Sequence, residues 1–286
     1  MAVKRLYAAL RSPVNNRRRL VCFYLELKMT DPTLDYFINL GQIQEDDASH
    51  IQWSHATNSK HKVVAALNGP CHMIEADILM RGNEPKEPIM AHPPMRDSDI
   101  TLQEWLEKVK KQNNKGIKLD FKSLEAVVPS LALLEKVSGD WGAPMWLNAD
   151  ILPGPQGTTT PLEAQAFLDA VGSGASPVVL SLGWTTGWSA ETDNPGYSWA
   201  MVRQMEEVCR GLRHPVTFPV RAALLAQSFD QMKWLLQQSD RYTLTVWTGQ
   251  EDVFAVEDLL PYRRHFGRSK IYYDLPDSER LELCNA

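Results

Sequence analysis

The chain has 286 residues, 44% of them hydrophobic, which is enough apolar material for one sizeable core. A formal net charge of −5 argues against a broad nucleic-acid-binding surface, and no apolar run approaches the ~18 residues of a membrane span. The four cysteines lie far apart without a CxxC pair, which favours free thiols over a zinc site or a disulfide framework: Cys22, Cys71, Cys209 and Cys284.

The first 34 residues form a basic leader. From Met1 to Tyr24 there is no acidic residue, and six residues are cationic: Lys4, Arg5, Arg11, Arg17, Arg18 and Arg19. This composition is typical of a mitochondrial transit segment, and it is also compatible with a secretory signal, although the apolar stretch Leu20–Leu25 is short. A disordered leader without a targeting role is the third interpretation. The leader and the free cysteines favour an intracellular location, either cytoplasmic or mitochondrial.

Beyond the leader, short β-rich runs alternate with helical stretches. Eight runs have the composition of strands: Ile51–His55, Met73–Leu79, Pro88–His92, Ile117–Lys122, Met145–Asp150, Val178–Gly183, Val216–Arg221 and Thr243–Trp247. Five segments have the apolar spacing of helices: Leu102–Gln112, Ser123–Val137, Leu162–Val171, Ser198–Leu212 and Leu224–Gln238. This alternation predicts βα units and a parallel sheet.

Eight strands with crossover helices favour a single (β/α)8 TIM-type barrel over residues 35–276, an α/β fold, with a polar tail at 277–286. An open sheet built from the same elements is the alternative. A further strand-like piece, Ile271–Asp274, precedes the tail. No GxGxxG or GxxxxGK[ST] motif follows any strand, so a nucleotide-binding fold lacks its usual signature.

Charged residues occupy one face of two predicted strands. Side chains at i and i+2 of a strand point to the same side, so Glu75 and Asp77 share a face. A second strand carries three charges on one face: Lys118, Asp120 and Lys122. The apolar residues between them should pack against the surrounding helices. The charged side chains should therefore point into the interior of the barrel. A solvated edge is the alternative for one Glu-x-Asp pair, but two such strands indicate ion pairing or a bound ion, because buried unpaired charge is costly.

Three carboxylates on neighbouring strands suit a hard divalent cation. Glu75, Asp77 and Asp120 would supply the oxygen ligands that Mg²⁺ prefers, and Ca²⁺ accepts the same donors. Lys122, two residues beyond Asp120, would reach a phosphate oxygen as a point charge. Lys118 lies deeper on the same face and is expected to be a structural ion-pair partner.

Two histidines end other predicted strands. His55 ends the first and His92 the third, where barrel enzymes place catalytic residues. Each alone is more simply interpreted as a strand-end histidine. Together they form a workable acid/base pair, in which one takes the proton of the nucleophile and the other protonates the leaving oxygen.

This order of residues resembles the phospholipase-C-like phosphodiesterase superfamily, which includes glycerophosphodiester phosphodiesterases and spider-venom sphingomyelinases D. The resemblance covers the two histidines, the Glu75-Ala76-Asp77 pair and the Asp120-Phe121-Lys122 motif. One departure concerns the residue after the first histidine. It is arginine in the glycerophosphodiesterases, whereas here His55 is followed by Ala56-Thr57-Asn58. A phosphate-binding cation is therefore missing there, unless Arg221 or Arg81 substitutes.

Over residues 36–275 the chain is similar to the menorin family, and most closely to its smaller vertebrate member. Four stretches carry the similarity: Trp53–Ser59, Ile74–Asp77, Gly116–Lys122 and Trp146–Asp150. The resemblance implies a barrel related to the phosphodiesterases. Some family members act outside cells in neuronal patterning, so an extracellular location with protein partners is the alternative to an intracellular one.

Later strand ends supply candidate substrate-binding residues. Asn148 and Asp150 share a parity at the end of the fifth strand and would bind a metal water or a substrate hydroxyl. Trp184 and Trp188 follow the sixth strand in a Thr/Gly-rich loop, and Trp247 ends the eighth. Core packing is the alternative for these tryptophans, which otherwise form an aromatic platform for a base, sugar or lipid headgroup.

Two functions follow. The first is a Mg²⁺-dependent phosphodiesterase or lyase, with a glycerophosphodiester, a lipid headgroup or a ribonucleotide end as candidate substrates. Its roles are metal ligation by Glu75, Asp77 and Asp120 and catalysis by His55, His92 and Lys122. The second is a catalytically idle barrel that serves as a secreted or cell-surface binding module.

Overall fold

The computed structural model describes residues 31–112, 114–138, 141–172 and 178–286. Most of the basic leader and Cys22 lie outside the described residues. Nine strands form one sheet: β1 Trp53–Ser54, β2 Met73–Met80, β3 Pro88–Met90, β4 Gly116–Phe121, β5 Met145–Pro153, β6 Val179–Thr185, β7 Val216–Arg221, β8 Tyr242–Trp247 and β9 Ile271–Asp274. Eight of them pair in parallel in the order β1-β2-β4-β5-β6-β7-β8-β9. The α/β barrel arrangement is confirmed.

Two strands, β3 and β9, have places in the sheet that differ from the expectation. The third predicted strand is not part of the barrel, because β3 pairs antiparallel with the carboxyl end of β2. Only residues 81–87 separate these strands, and a parallel crossover needs a dozen residues or more. The eighth parallel strand is instead β9, which the sequence indicated as an additional piece.

Nine helices are present in the described ranges: α1 Thr33–Asn39, α2 Lys60–Asn68, α3 Leu102–Gln112, α4 Val127–Ser138, α5 Ala164–Gly172, α6 Trp199–Cys209, α7 Phe229–Gln237, α8 Leu260–His265 and α9 Asp277–Cys284. α3 has the predicted bounds, and its N-terminal turn is capped reciprocally by Thr101 and Glu104. The predicted segment Ser123–Val137 begins instead with a short 3-10 turn at Leu124–Ala126, and the predicted segment Leu224–Gln238 is α-helical only from Phe229 onward. No helix among the described residues is long and apolar enough to span a membrane.

The amino-terminal end of the barrel is filled by apolar side chains. Met73, Trp146 and Tyr272 are buried there together with residues of α1. The Trp146 indole Nε1 donates a hydrogen bond of 2.7 Å to the Thr33 hydroxyl, which fixes α1 across this end. The open end of the barrel is therefore the carboxyl end of the strands, where barrel enzymes hold their sites.

The helices α8 and α9, on either side of β9, contact the segment before β1 at the other edge of the sheet. α9 occupies the predicted polar tail, and its Arg280 and Leu283 are buried. Arg280 donates to the Ser49 carbonyl at 3.1 Å, just before β1. Arg263 of α8 makes a bidentate pair with the buried Asp47 at 2.7 and 2.6 Å. These contacts hold the segment before β1 against the elements on either side of β9.

Candidate metal centre

Three carboxylates converge at the carboxyl ends of β2 and β4. Asp77 lies directly opposite Asp120 in the parallel ladder, and Glu75 is two residues earlier on the same inward face. Oxygen atoms of Glu75, Asp77 and Asp120 all lie within 4.8 Å of one another. All three residues are buried, with 2%, 4% and 8% of their surfaces exposed. This geometry suits a single oxygen-ligated cation.

Acidic groups outnumber basic groups around this cluster. Five carboxylates lie at this end of the barrel: Glu75, Asp77, Asp120, Asp150 and Asp274. Their cationic neighbours number three: His55, Lys118 and Lys122. The carboxylates thus outnumber the cationic groups by two. The Asp120 Oδ1 atom is also buried without a hydrogen-bond partner, as a metal-facing oxygen would be in the absence of the ion. The residues therefore fit a divalent metal.

Burial raises the pKa values of two carboxylates at this end of the barrel. Burial raises the pKa of Glu75 to about 7, although the neighbouring His55 acts in the opposite direction. Burial and the nearby Asp120 together raise the pKa of Asp150 to about 7. Both carboxylates therefore give up their protons less readily than an exposed carboxylate does.

Lys122 lies between two of the carboxylates. Its ammonium Nζ is 2.6 Å from Asp120 Oδ2 and 3.3 Å from Asp77 Oδ1. Burial alone would lower the pKa of Lys122, but Asp120 and Asp77 outweigh it and hold the pKa above its usual value. Lys118, by contrast, forms no ion pair within 4 Å among the described residues. Its Nζ lies 6.0 Å from the ring centre of Trp53, so it is not the ion-pair partner expected from the sequence.

His55 is held by a carboxylate of the last strand. Its Nδ1 lies 2.8 Å from Asp274 Oδ2 and 3.6 Å from Glu75 Oε2. These two negative charges, Glu75 first, raise the pKa of His55 to about 10. Half of the imidazole side chain is exposed at the barrel mouth, so the ring is both oriented by protein and accessible to a substrate.

His92 lies at the same mouth through the β2–β3 hairpin. The backbone N–H of Ala91 donates to the Asp77 carbonyl at 3.0 Å, which fixes His92, the adjoining residue, near Asp77. His92 is exposed, and its Nδ1 donates a hydrogen bond of 2.6 Å to the Pro93 carbonyl. Since a carbonyl only accepts, the Nδ1 carries the proton and Nε2 is left for solvent or substrate.

The fifth strand contributes two polar side chains with different surroundings. Asn148 is engaged within the barrel, because it lies opposite Asp120 in the β4–β5 ladder and its Oδ1 accepts from the Ser181 hydroxyl at 2.5 Å. The side-chain carboxylate of Asp150 accepts no hydrogen bond from the described residues, although its backbone carbonyl accepts one from the Leu162 N–H at 2.9 Å. Its carboxylate instead faces Gly183, where any Cβ would collide with it. Asp150 is therefore the residue of this pair that is free to bind another molecule.

The tryptophans do not form the expected platform. β6 extends to Thr185, so Trp184 lies within the strand and on the parity that faces the helices. It is 2% exposed and packs against Tyr197 and Phe218, and this makes it a core residue rather than a pocket wall. Trp188 is partly buried and also packs against the core.

Neither arginine substitutes for the missing phosphate-binding cation. Arg221 pairs with Asp252 through two hydrogen bonds of 2.7 and 2.5 Å, and its guanidinium lies 5.4 Å from the Trp247 ring centre. Arg81 pairs with Glu87 at 3.2 Å and also with Asp97. Both guanidinium groups are thus neutralised by neighbouring carboxylates.

Two site residues were not identified from the sequence. Asp274 ends β9 and is a carboxylate at the end of a strand, like the other acidic residues of the cluster. It is missed because the sequence does not count Ile271–Asp274 among the eight predicted barrel strands. Asn58 contacts Asp77 from the loop after β1, and no periodicity marks a loop residue of this kind.

The strand order and the acidic cluster define an α/β parallel-barrel protein with a candidate metal centre at the carboxyl ends of its strands. A family model described as the Menorin N-terminal domain matches residues 47–280. The human protein named FAM151B is 52% identical over 255 residues, which cover 88% of this chain and 92% of the human protein. The chain belongs to the menorin family, as the sequence motifs predicted.

Two solved structures share a distant likeness. A glycerophosphodiester phosphodiesterase from Parabacteroides distasonis aligns with 82% of this chain and 97% of its own, with a TM-score of 0.49 and 11% identity. One from Agrobacterium tumefaciens covers 81% of this chain and 99% of its own, with a TM-score of 0.43 and 11% identity. The family assignment rests on the two preceding matches, and the fold on the strand order.

Proposed function

We propose that this protein is a divalent-metal-dependent phosphodiesterase that acts on a small phosphodiester. The observation that carries the proposal is the cluster of Glu75, Asp77 and Asp120, whose oxygens lie within 4.8 Å of one another and suit a single oxygen-ligated cation. Mg²⁺ is the first candidate ion, and Ca²⁺ the second. The bound ion would neutralise charge on the phosphoryl oxygens.

The protein groups around the ion have separate roles in this proposal. His55, oriented by Asp274, and His92 exchange protons with the attacking and leaving oxygens. Lys122, beside Asp120, stabilises the negative charge that develops on the phosphoryl group. Asn148 orients Asp120, while Arg221 and Trp247 form one wall of the mouth.

Asp150 favours a substrate with a hydroxyl beside the phosphodiester. Its carboxylate lacks a protein donor and lies at the barrel mouth, so it would accept a hydrogen bond from that hydroxyl. A hydroxyl held there attacks the phosphorus internally at high effective molarity, so no protein nucleophile is needed. The products are then a cyclic phosphate and an alcohol. Glycerophosphodiesters, lysophospholipid or sphingolipid headgroups and ribonucleotide ends all have this chemistry.

The test is a turnover screen of these three substrate classes, each with Mg²⁺ and with EDTA. For each class, a substrate with the neighbouring hydroxyl is compared with one in which the hydroxyl is replaced by hydrogen. We expect turnover that needs both the metal and the hydroxyl. Metal-independent turnover would overturn the mechanism, while equal turnover of the deoxy substrate would overturn internal attack alone.

A binding module without catalysis is the second candidate function. It is favoured by the pairing of Arg221 with Asp252 and of Arg81 with Asp97, which leaves neither of these two arginines for a phosphate. Small-molecule and protein partners, including extracellular ones, would then bind without turnover. Calorimetry with Mg²⁺ and Ca²⁺ separates the two candidates, because an idle module has no need to retain a metal site.

A further inference from the structure

Asn58 holds one of the carboxylates through two hydrogen bonds. Its side-chain Nδ2 donates to Asp77 Oδ2 at 2.7 Å, and its Oδ1 accepts from the Asp77 backbone N–H at 2.8 Å. One amide thus engages both the side chain and the backbone of the same residue. Because the backbone contact fixes the amide relative to β2, the second contact fixes the rotamer of the carboxylate.

The loop that carries Asn58 is itself anchored. The Trp105 indole Nε1 donates to the Thr57 carbonyl at 3.0 Å, and the Ser98 hydroxyl donates to the Asn58 carbonyl at 3.2 Å. Ala56 adopts a φ of 50°, in the left-handed region that non-glycine residues rarely occupy, and its N–H donates to Glu75 Oε2 at 2.7 Å. The loop therefore contacts both carboxylates of β2.

The arrangement leaves one Asp77 oxygen for a cation. Asn58 occupies Oδ2, and Oδ1 is the atom that faces Lys122 at 3.3 Å and the neighbouring carboxylates. Without the amide, the carboxylate would be free to turn Oδ1 away from the cluster or to pair more closely with Lys122. Either change would remove a preorganised ligand.

We infer that Asn58 is a positioning residue that orients Asp77 for a divalent cation, an inference that rests on the proposed metal-dependent function. The loop after β1 holds no phosphate-binding arginine, and its amide and backbone N–H groups instead orient metal ligands. The same short loop begins at His55, so it fixes the acid/base residue and the metal ligands relative to each other.

The experiment measures Mg²⁺ affinity by titration calorimetry on the metal-free full chain. Two substitutions remove the amide: Asn58→Ala, and Asn58→Leu, which keeps most of the side-chain volume. The matched control is Asn194→Ala, because Asn194 also holds a loop at this end of the barrel, with bonds to Ser189 and Thr192 but to no site carboxylate. Melting temperatures of the metal-free proteins are recorded in parallel.

We expect both Asn58 variants to bind Mg²⁺ on the order of 10- to 100-fold more weakly than wild type, and the control to bind with wild-type affinity. Affinity within twofold of wild type for both Asn58 variants would overturn the positioning role and leave the metal site intact. Equal weakening in the Asn194 control would also overturn it, because general loosening of the loops would then account for the loss. Absence of Mg²⁺ binding by wild type would instead overturn the proposed function itself.

Discussion

The imidazole Nδ1 of His55 lies 2.8 Å from Oδ2 of Asp274, so a hydrogen bond joins the residue after the first strand to the end of the last strand. In the described sheet no ladder bonds connect β1 with β9, and this pair bridges the two edges. A carboxylate at Nδ1 fixes the proton on that nitrogen and leaves Nε2 for the reaction. Asp274 is buried, and burial alone would raise its pKa. The neighbouring His55 outweighs burial and holds the pKa of Asp274 below its usual value.

The first prediction concerns Asp274. Asp274→Asn should lower kcat/KM on the order of 10²-fold or more, because the amide neither balances an imidazolium nor fixes its tautomer. The control is Asp277→Asn, three residues later, where an exposed carboxylate pairs only with Arg280. Wild-type kcat/KM in the Asp274 variant, measured on the substrate found in the screen, would exclude the pair from catalysis.

The two histidines should share the acid/base work. We expect a bell-shaped dependence of kcat/KM on pH for wild type, and His55→Ala and His92→Ala should each lose one limb along with about 10²-fold or more in rate. Neither change should abolish Mg²⁺ binding, since the proposed ligands are carboxylates. A His92→Ala protein that folds, binds Mg²⁺ and turns over at the wild-type rate would remove His92 from the mechanism.

Asp150 should affect substrate choice rather than folding. Asp150→Asn should lower kcat/KM about 10-fold or more for a hydroxyl-bearing diester, because the charged acceptor is lost, and should leave unchanged the affinity for the unreactive deoxy analogue, measured as a competitive inhibitor. Its melting temperature should equal or exceed that of wild type, because one like charge leaves the acidic cluster. Asp193→Asn, an exposed aspartate on the next loop, is the control. A matching loss of affinity for the deoxy analogue would show that Asp150 does not act through the hydroxyl.

His72 should make stability depend on pH below neutrality. Burial, with help from Lys115 and Arg280, lowers its pKa from 6.5 to about 4, and its Nδ1 accepts a hydrogen bond from the Gln52 N–H at 3.0 Å. Between these pH values the unfolded chain binds the proton more readily, so this contribution to stability is present above pH 6.5 and is lost as pH falls through 4. His72→Asn, which retains an acceptor, should flatten the melting temperature across that window. His61→Asn on the surface is the control, and an unchanged slope for His72→Asn would contradict the assignment.

The charged interior was predictable because strand parity is a local property. Glu75, Asp77 and Asp120 were assigned to one inward face from their spacing, and the ladder register places the two aspartates opposite each other. Lys122 was assigned in the same way, one step beyond the strand end. Alternation alone carries this information, so no knowledge of distant contacts was needed.

Features that depend on contacts between distant parts of the chain were harder to predict from the sequence. The sequence predicts Trp184 in a loop, but β6 continues past Gly183 because its pairing with β5 extends to Thr185. Within the extended strand, the alternation of side chains places the indole in the core. The free or paired state of Arg221 depends on Asp252, 31 residues away along the chain. The short connection before Pro88 did hold a usable signal, since seven residues cannot hold a parallel crossover.

Metal binding by the carboxylate cluster is tested by a calorimetric titration of Mg²⁺ into the metal-free protein, with the double variant Glu75→Gln, Asp77→Asn as the comparison. We expect one bound ion in wild type, a metal-dependent rise in melting temperature, and neither effect in the double variant. We also expect the metal-free double variant to melt at or above the wild-type temperature, because two repelling carboxylates are gone. No binding by wild type at millimolar Mg²⁺, together with a lower melting temperature of the double variant, would show that the carboxylates serve the fold and not a metal.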